Sequence, residues 1–113
     1  MAKVPCPCCG HLTLTSRGEY SICPVCFWED DGQDDADAAV CQRGPNHVSL
    51  IDGRRSFLLH GFAEEKDRRH VRAPLPDEPR VRSFVIDGEN VIELPARPSS
   101  TAGSGRRDGE QER

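Results

Sequence analysis

The chain has 113 residues and a net charge of −4, with 35% hydrophobic and 30% charged residues, and its pI is near 5.5. One small domain is expected, with a core slight enough to need a staple. The acidic balance argues against generic binding to nucleic acid or anionic membrane, although local patches still matter. The start, Met-Ala-Lys-Val-Pro-Cys, lacks an apolar leader, and no run approaches the length of a membrane span. The six cysteines therefore read as free thiols of a reducing cytoplasm, not as a secreted disulfide framework.

The stretch from Cys6 to Cys26 holds five of those six cysteines. Cys6 and Cys9 form one CxxC pair and Cys23 and Cys26 a second, with thirteen residues between them. Two such pairs suit a tetrahedral zinc ion, which takes thiolate sulfurs at about 2.3 Å. Two residues between ligands let one tight turn aim both sulfurs at one point. Pro7 and Pro24 fix φ inside the pairs, and Gly10 permits the left-handed backbone that closes such a turn. Four buried or disulfide-bonded cysteines are the competing reading. Paired CxxC motifs without an export signal favour metal.

Between the pairs, His11–Thr15 alternates, Ser16-Arg17-Gly18 is a turn cluster, and Glu19–Ile22 alternates back. The expectation is two strands joined by a short turn, which bring the second CxxC to face the first. An isolated hairpin is marginal in water. Zinc binding worth about 10–16 kcal/mol in small finger peptides would then supply most of the folding free energy.

Phe27 and Trp28 read as core residues that cover the sulfurs from water. Six acidic residues follow from Glu29 to Asp37. Hard cations favour such an oxygen-rich loop, but its spacing fails the EF-hand pattern. A solvated loop or partner-facing patch is the preferred reading. Cys8, inside the first CxxC, and the isolated Cys41 are candidates for spare ligands or redox thiols. Cys8 could replace Cys6 or Cys9 only with a changed bite, and Cys41 reads better as a small buried hydrophobe. The four histidines (His11, His47, His60 and His70) have no ligand spacing and read as surface or packing residues.

Gly44-Pro45-Asn46 is a turn. Ser49 reads as a helix N-cap with Asp52 at N3 and Gly61 at C′, so an amphipathic helix is expected from about Leu50 to His60. Its apolar face should lie on the ribbon, with Gly53 costing about 1 kcal/mol relative to alanine. Residues 63–72 are charged, and the proline-rich Ala73–Pro79 must be extended. Val81–Ile86 and Val91–Leu94 read as a second hairpin, in which Ile86 faces Val91 across a loop from Asp87 to Asn90. From Pro95 onward the composition is that of a disordered tail.

CPCCG, then Tyr20 to Asp31 (YSICPVCFWEDD), then Gly44-Pro45-Asn46 with Ser49-Leu50 resemble the cysteine-rich CPCC family of small, largely bacterial proteins, over roughly residues 5 to 80. The resemblance implies a zinc-ribbon-like module with Cys6, Cys9, Cys23 and Cys26 as ligands, and it carries over no catalytic residue.

The expected fold is small α+β. It comprises a zinc-ribbon-like hairpin with two CxxC knuckles, one packed amphipathic helix, a second C-terminal hairpin and a disordered tail. Boundaries are set at 1–79 for the ribbon domain, 80–95 for the hairpin extension and 96–113 for the tail. The functional expectation is a structural zinc site in a protein-interaction module. A nucleic-acid-binding ribbon is the alternative, using Arg54, Arg55, Lys66, Arg68, Arg69 and Arg72, but Glu64, Glu65 and Asp67 interrupt that face. Catalysis is disfavoured further, because four cysteines fill the zinc sphere and no nucleophile–base pair is visible.

Overall fold

The structure is a computed structural model and describes residues 3–42 and 44–95; the expected disordered tail lies outside them. The fold is the small α+β arrangement expected: two antiparallel hairpins, one helix and a cysteine cluster. β1 (Val4–Pro5) pairs with β2 (Leu12–Leu14), and α1 spans Leu50–His60. β3 (Phe84–Asp87) pairs with β4 (Asn90–Glu93). Short 3-10 turns lie at Asp35–Asp37 and Glu65–Asp67.

The pairing inside the ribbon differs from the expected one. Leu12–Leu14 does not pair with Glu19–Ile22. Each knuckle is instead the turn of its own small hairpin. The first enters through Val4–Pro5 and leaves through β2, with Val4 opposite Leu14 and Pro5 opposite Leu12. The second enters through Tyr20–Ile22, which turns to Glu29 and Asp30. Tyr20 N–H donates to Asp30 O at 2.8 Å, Asp30 N–H donates to Ser21 O at 2.9 Å, and Ile22 bridges Glu29. Tyr20 has φ 62°, and a left-handed residue breaks the strand that alternation alone suggested.

The helix has the expected ends. Ser49 Oγ accepts from Asp52 N–H at 3.1 Å, and Gly61 (φ 88°) closes the last turn by donating to Phe57 O. Its buried face is Leu50, Gly53 and Arg54, with Phe57 partly covered. β3–β4 pairs Ile86 with Val91, as expected. The ladder gains one rung, Asp87 with Asn90, so the turn shrinks to Gly88-Glu89. Phe84 and Val91 point inward, whereas Val85 and Ile92, paired across the strands, stay exposed.

The core gathers Trp28, Leu14, Val25, Leu50, Ala38 and Ala63 around the buried cysteines. Phe27, expected there too, is only half buried and stacks on His70, with ring centroids 5.1 Å apart. Asn46 ties its turn to the second knuckle, accepting from Glu29 N–H and donating to Glu29 O. Cys41 corrects an expectation: it is exposed. It follows the acidic loop, away from the side chains that form the core.

Candidate metal centre

Cys6, Cys9, Cys23 and Cys26 bring their sulfurs within 4.8 Å of one another, and all four are buried. The Cys6–Cys26 and Cys9–Cys23 Sγ separations are both 3.7 Å. Sulfurs at the corners of a tetrahedron around an ion 2.3 Å away would be about 3.8 Å apart. That is also far beyond a disulfide bond, and all four cysteines are free. A closed, soft, four-sulfur cage of this size fits a divalent metal of the zinc type.

The cage is built by two nearly equivalent loops. Cys6 N–H donates to His11 O at 2.9 Å, and Cys23 N–H donates to Trp28 O at 3.0 Å. Gly10 N–H closes the first turn on Cys6 O at 2.9 Å, and Phe27 N–H closes the second on Cys23 O at 2.7 Å. Gly10 and Phe27 accordingly share a left-handed backbone, at φ 82° and 70°. The first loop takes glycine there, while the second forces an aromatic residue into the same shape.

The sulfurs receive hydrogen bonds from outside the cage. Cys8 N–H donates to Cys6 Sγ and Trp28 N–H to Cys26 Sγ, both at 3.4 Å, and Thr13 Oγ1 donates to Cys23 Sγ at 3.0 Å. Such donors spread the negative charge of a four-thiolate site. Without metal the thiols share protons. Burial pushes Cys26 well up, and hydrogen bonding to Cys23 pushes Cys9 up. Cys23 is driven down by hydrogen bonds from Cys26, Cys6 and Cys9, with Thr13 adding to them. A metal ion entering this cage would displace those protons.

The remaining candidates fall outside the cage. Cys8 is buried beside α1, its Sγ 3.4 Å from where a Cβ on Gly53 would stand, and burial raises its thiol pKa. No histidine joins the cluster. His11 Nδ1 lies 2.8 Å from Glu78 O, His47 faces Glu64, and His60 and His70 stack on Phe62 and Phe27. Each therefore serves packing or the surface, as its spacing suggested.

The acidic loop is part buried and part solvated: Asp30 is buried, Asp34 is half-buried and Asp35 is exposed. Three of its six carboxylates, Asp30, Asp34 and Asp35, are held by arginines. Buried Asp30 accepts from Arg17 Nε at 2.8 Å, from Gly18 N–H at 2.7 Å and from Gly32 N–H at 3.1 Å. Asp34 accepts from Arg17 Nη1 at 2.6 Å and Arg82 Nη2 at 3.0 Å, and Asp35 accepts from Arg54 Nη2 at 3.0 Å. Partial burial works against ionising Asp34, but Arg82 and Arg17 win and hold it at about 2. Arg54 is buried, and its Nε donates to Pro7 O at 2.8 Å inside the first knuckle. Sequence spacing gave no sign of these partners, and Thr13 was missed as well. The available signal was stoichiometric: six carboxylates in a short loop of a weakly hydrophobic chain call for cations from somewhere.

No curated protein and no solved structure matches the chain. A comparison with protein families matches residues 4–78, well over half of the 113, to the family described as Cysteine-rich CPCC. The match runs from β1 through both knuckles and α1 to Glu78. With its four cysteines gathered at one point within that span, the chain belongs to the cysteine-rich CPCC family.

Proposed function

We propose that the chain binds one structural zinc ion through Cys6, Cys9, Cys23 and Cys26, and that the stapled fold acts as a protein-interaction module in a reducing compartment such as the cytoplasm. The observation that carries the metal reading is the buried four-sulfur cage, with two edges of 3.7 Å. Four cysteine ligands leave no place for a reacting water, which favours a structural over a catalytic metal.

The charge arrangement favours a protein partner over nucleic acid. Of the basic candidates, Arg54 pairs with Pro7 O and Asp35, Arg55 with Asp52 and Glu89 O, Lys66 with Asp67, Arg68 with Glu65 and Arg72 with Glu78, while Arg69 is exposed. Apolar side chains are meanwhile left outside. Leu59 is 61% exposed and lines a groove of about 640 Å³ with Val48 and Phe62, and Val85 and Ile92 form an exposed pair on the second hairpin. No described helix is long and apolar enough to cross a membrane.

Elemental analysis of the purified protein should give close to one zinc per chain. Serine at any of the four cysteines should abolish it, whereas Cys8→Ser and Cys41→Ser should not. For the partner, zinc-loaded protein is used as bait with and without nuclease treatment. Proteins retained after nuclease would support the module reading, and partners lost with the nucleic acid would overturn it.

A further inference from the structure

Beyond Glu78, where the family match ends, the chain turns back over the first knuckle. Leu12 N–H donates to Pro79 O at 3.0 Å, and Arg80 bridges His11. Val81 N–H and Arg82 N–H both donate to Gly10 O, at 2.9 and 3.3 Å. The approach is so close that a Cβ on Gly10 would stand 1.9 Å from Arg82 O. The second knuckle is tied differently, by residues inside the family match: Ala63 N–H donates to Cys26 O and Arg72 N–H to Pro24 O. Building on the zinc reading above, we propose that residues 79–93 are a strap, latched by Arg82, that governs how readily the first knuckle opens and releases its metal.

The latch is a single guanidinium reaching three carboxylates. Arg82 Nη2 donates to Asp34 Oδ1 at 3.0 Å and Asp35 Oδ1 at 3.2 Å, while Nε and Nη2 each donate to Glu93 at 2.9 Å. It thereby joins the start of the strap to its own returning strand β4 and to the loop that follows the second knuckle. A second hold reinforces it. Phe84 lies against Arg54, whose guanidinium carbon is 4.2 Å from the ring centroid, and Arg54 Nε is bonded to Pro7 O in the first knuckle. Buried sulfurs offer a chelator no direct approach, so metal can leave only when a knuckle loosens. Lifting the strap frees Gly10 O and Leu12 N–H, backbone groups just after Cys9. The latch side chains are 17% (Arg82), 37% (Asp34) and 63% (Asp35) exposed, so salt screens this hold far more than it weakens the dry cage beneath.

The test is the rate at which zinc-loaded full-length protein surrenders its metal to an excess of coloured chelator. Arg82→Ala should release zinc about tenfold faster or more, as expected for loss of a charged hydrogen-bond set. Arg82→Lys should fall between it and wild type, and Arg68→Ala, at a surface pair elsewhere, should match wild type. Added salt should speed release from wild type more than from Arg82→Ala, closing the gap. Hydrogen exchange should show the amides of Val81 and of position 82 losing protection in Arg82→Ala, while Ala63 keeps its own. Equal release from wild type and Arg82→Ala, or a gap that salt leaves unchanged, overturns the strap while one equivalent of zinc still binds. Should Arg82→Ala fail to fold, salt-independent release from wild type and an unaltered rate in Arg82→Lys overturn it equally. Wild type that takes up no zinc defeats the zinc reading itself, and the strap with it.

Discussion

A glycine inside a helix costs about 1 kcal/mol relative to alanine, so propensity alone makes Gly53→Ala stabilising. Packing argues the opposite. A Cβ there would stand 3.1 Å from both Cε3 and Cζ3 of Trp28 and 3.4 Å from Cys8 Sγ. Trp28 is fully buried among the cage cysteines, so a retreat would press on close-packed neighbours. Gly53→Ala should therefore destabilise the zinc-loaded protein by about 1 kcal/mol or more, read from the urea midpoint. A gain in stability would mean that Trp28 can give way. Phe27 is the converse case. Its left-handed backbone costs about 1–2 kcal/mol, and the stack on His70 offsets part of that cost.

Among the elements, α1 combines a local start signal with a tertiary docking face. Ser49 Oγ satisfies one of the orphan N–H groups of the first turn. Ser49→Ala should cost about 1 kcal/mol. Leu50→Ala, removing a fully buried side chain against the cysteines, should cost about 2–5 kcal/mol. Denaturant titration of both variants at constant zinc orders the two effects; equal losses would put the docked face of α1 in doubt. The second hairpin depends on the same helix. Its inward Phe84 rests on Arg54, and Arg55 reaches Glu89 O at its turn. A two-stranded sheet is marginal alone, and this one is held by what it packs against.

For the whole molecule, the core is small and the cage sits at its centre, so metal removal should unfold most of the chain. Chelation is expected to collapse amide dispersion in the ribbon and in α1 together. A dispersed metal-free protein that melts cooperatively would contradict this. Acid adds a second dependence. Glu78 is held at about 2, first by Arg72 and then by Leu75 N–H. A carboxylate depressed on folding contributes stability above its ordinary value of 4.5, and that contribution is lost as pH falls toward 2. Asp34 has the same sign. Glu78→Gln should thus be less stable than wild type at pH 6, with the gap closing as pH drops below 4.5. Urea midpoints across that range check it, and a gap that stays constant would show that the charge of Glu78 is not what matters.

Features legible from the residues alone are those that short-range chemistry can specify. The CxxC spacings and Gly10 define the knuckles, Ser49 and Gly61 bound α1, and alternation about Asp87-Gly88 sets Ile86 against Val91. Each depends on residues within a few positions, where backbone geometry leaves few choices. That β2 returns to Val4–Pro5 depends on the assembled fold, because competing strands near in sequence carry similar alternation and the left-handed Tyr20 breaks one of them. The same holds for the acidic loop, whose arginines come from 13 to 48 residues away. It holds too for Gly53, whose small size is explained by Trp28, and for Cys41, left outside the core. Charge pairing and side-chain fit act on whatever folding brings together, and no local pattern records which distant residue that will be.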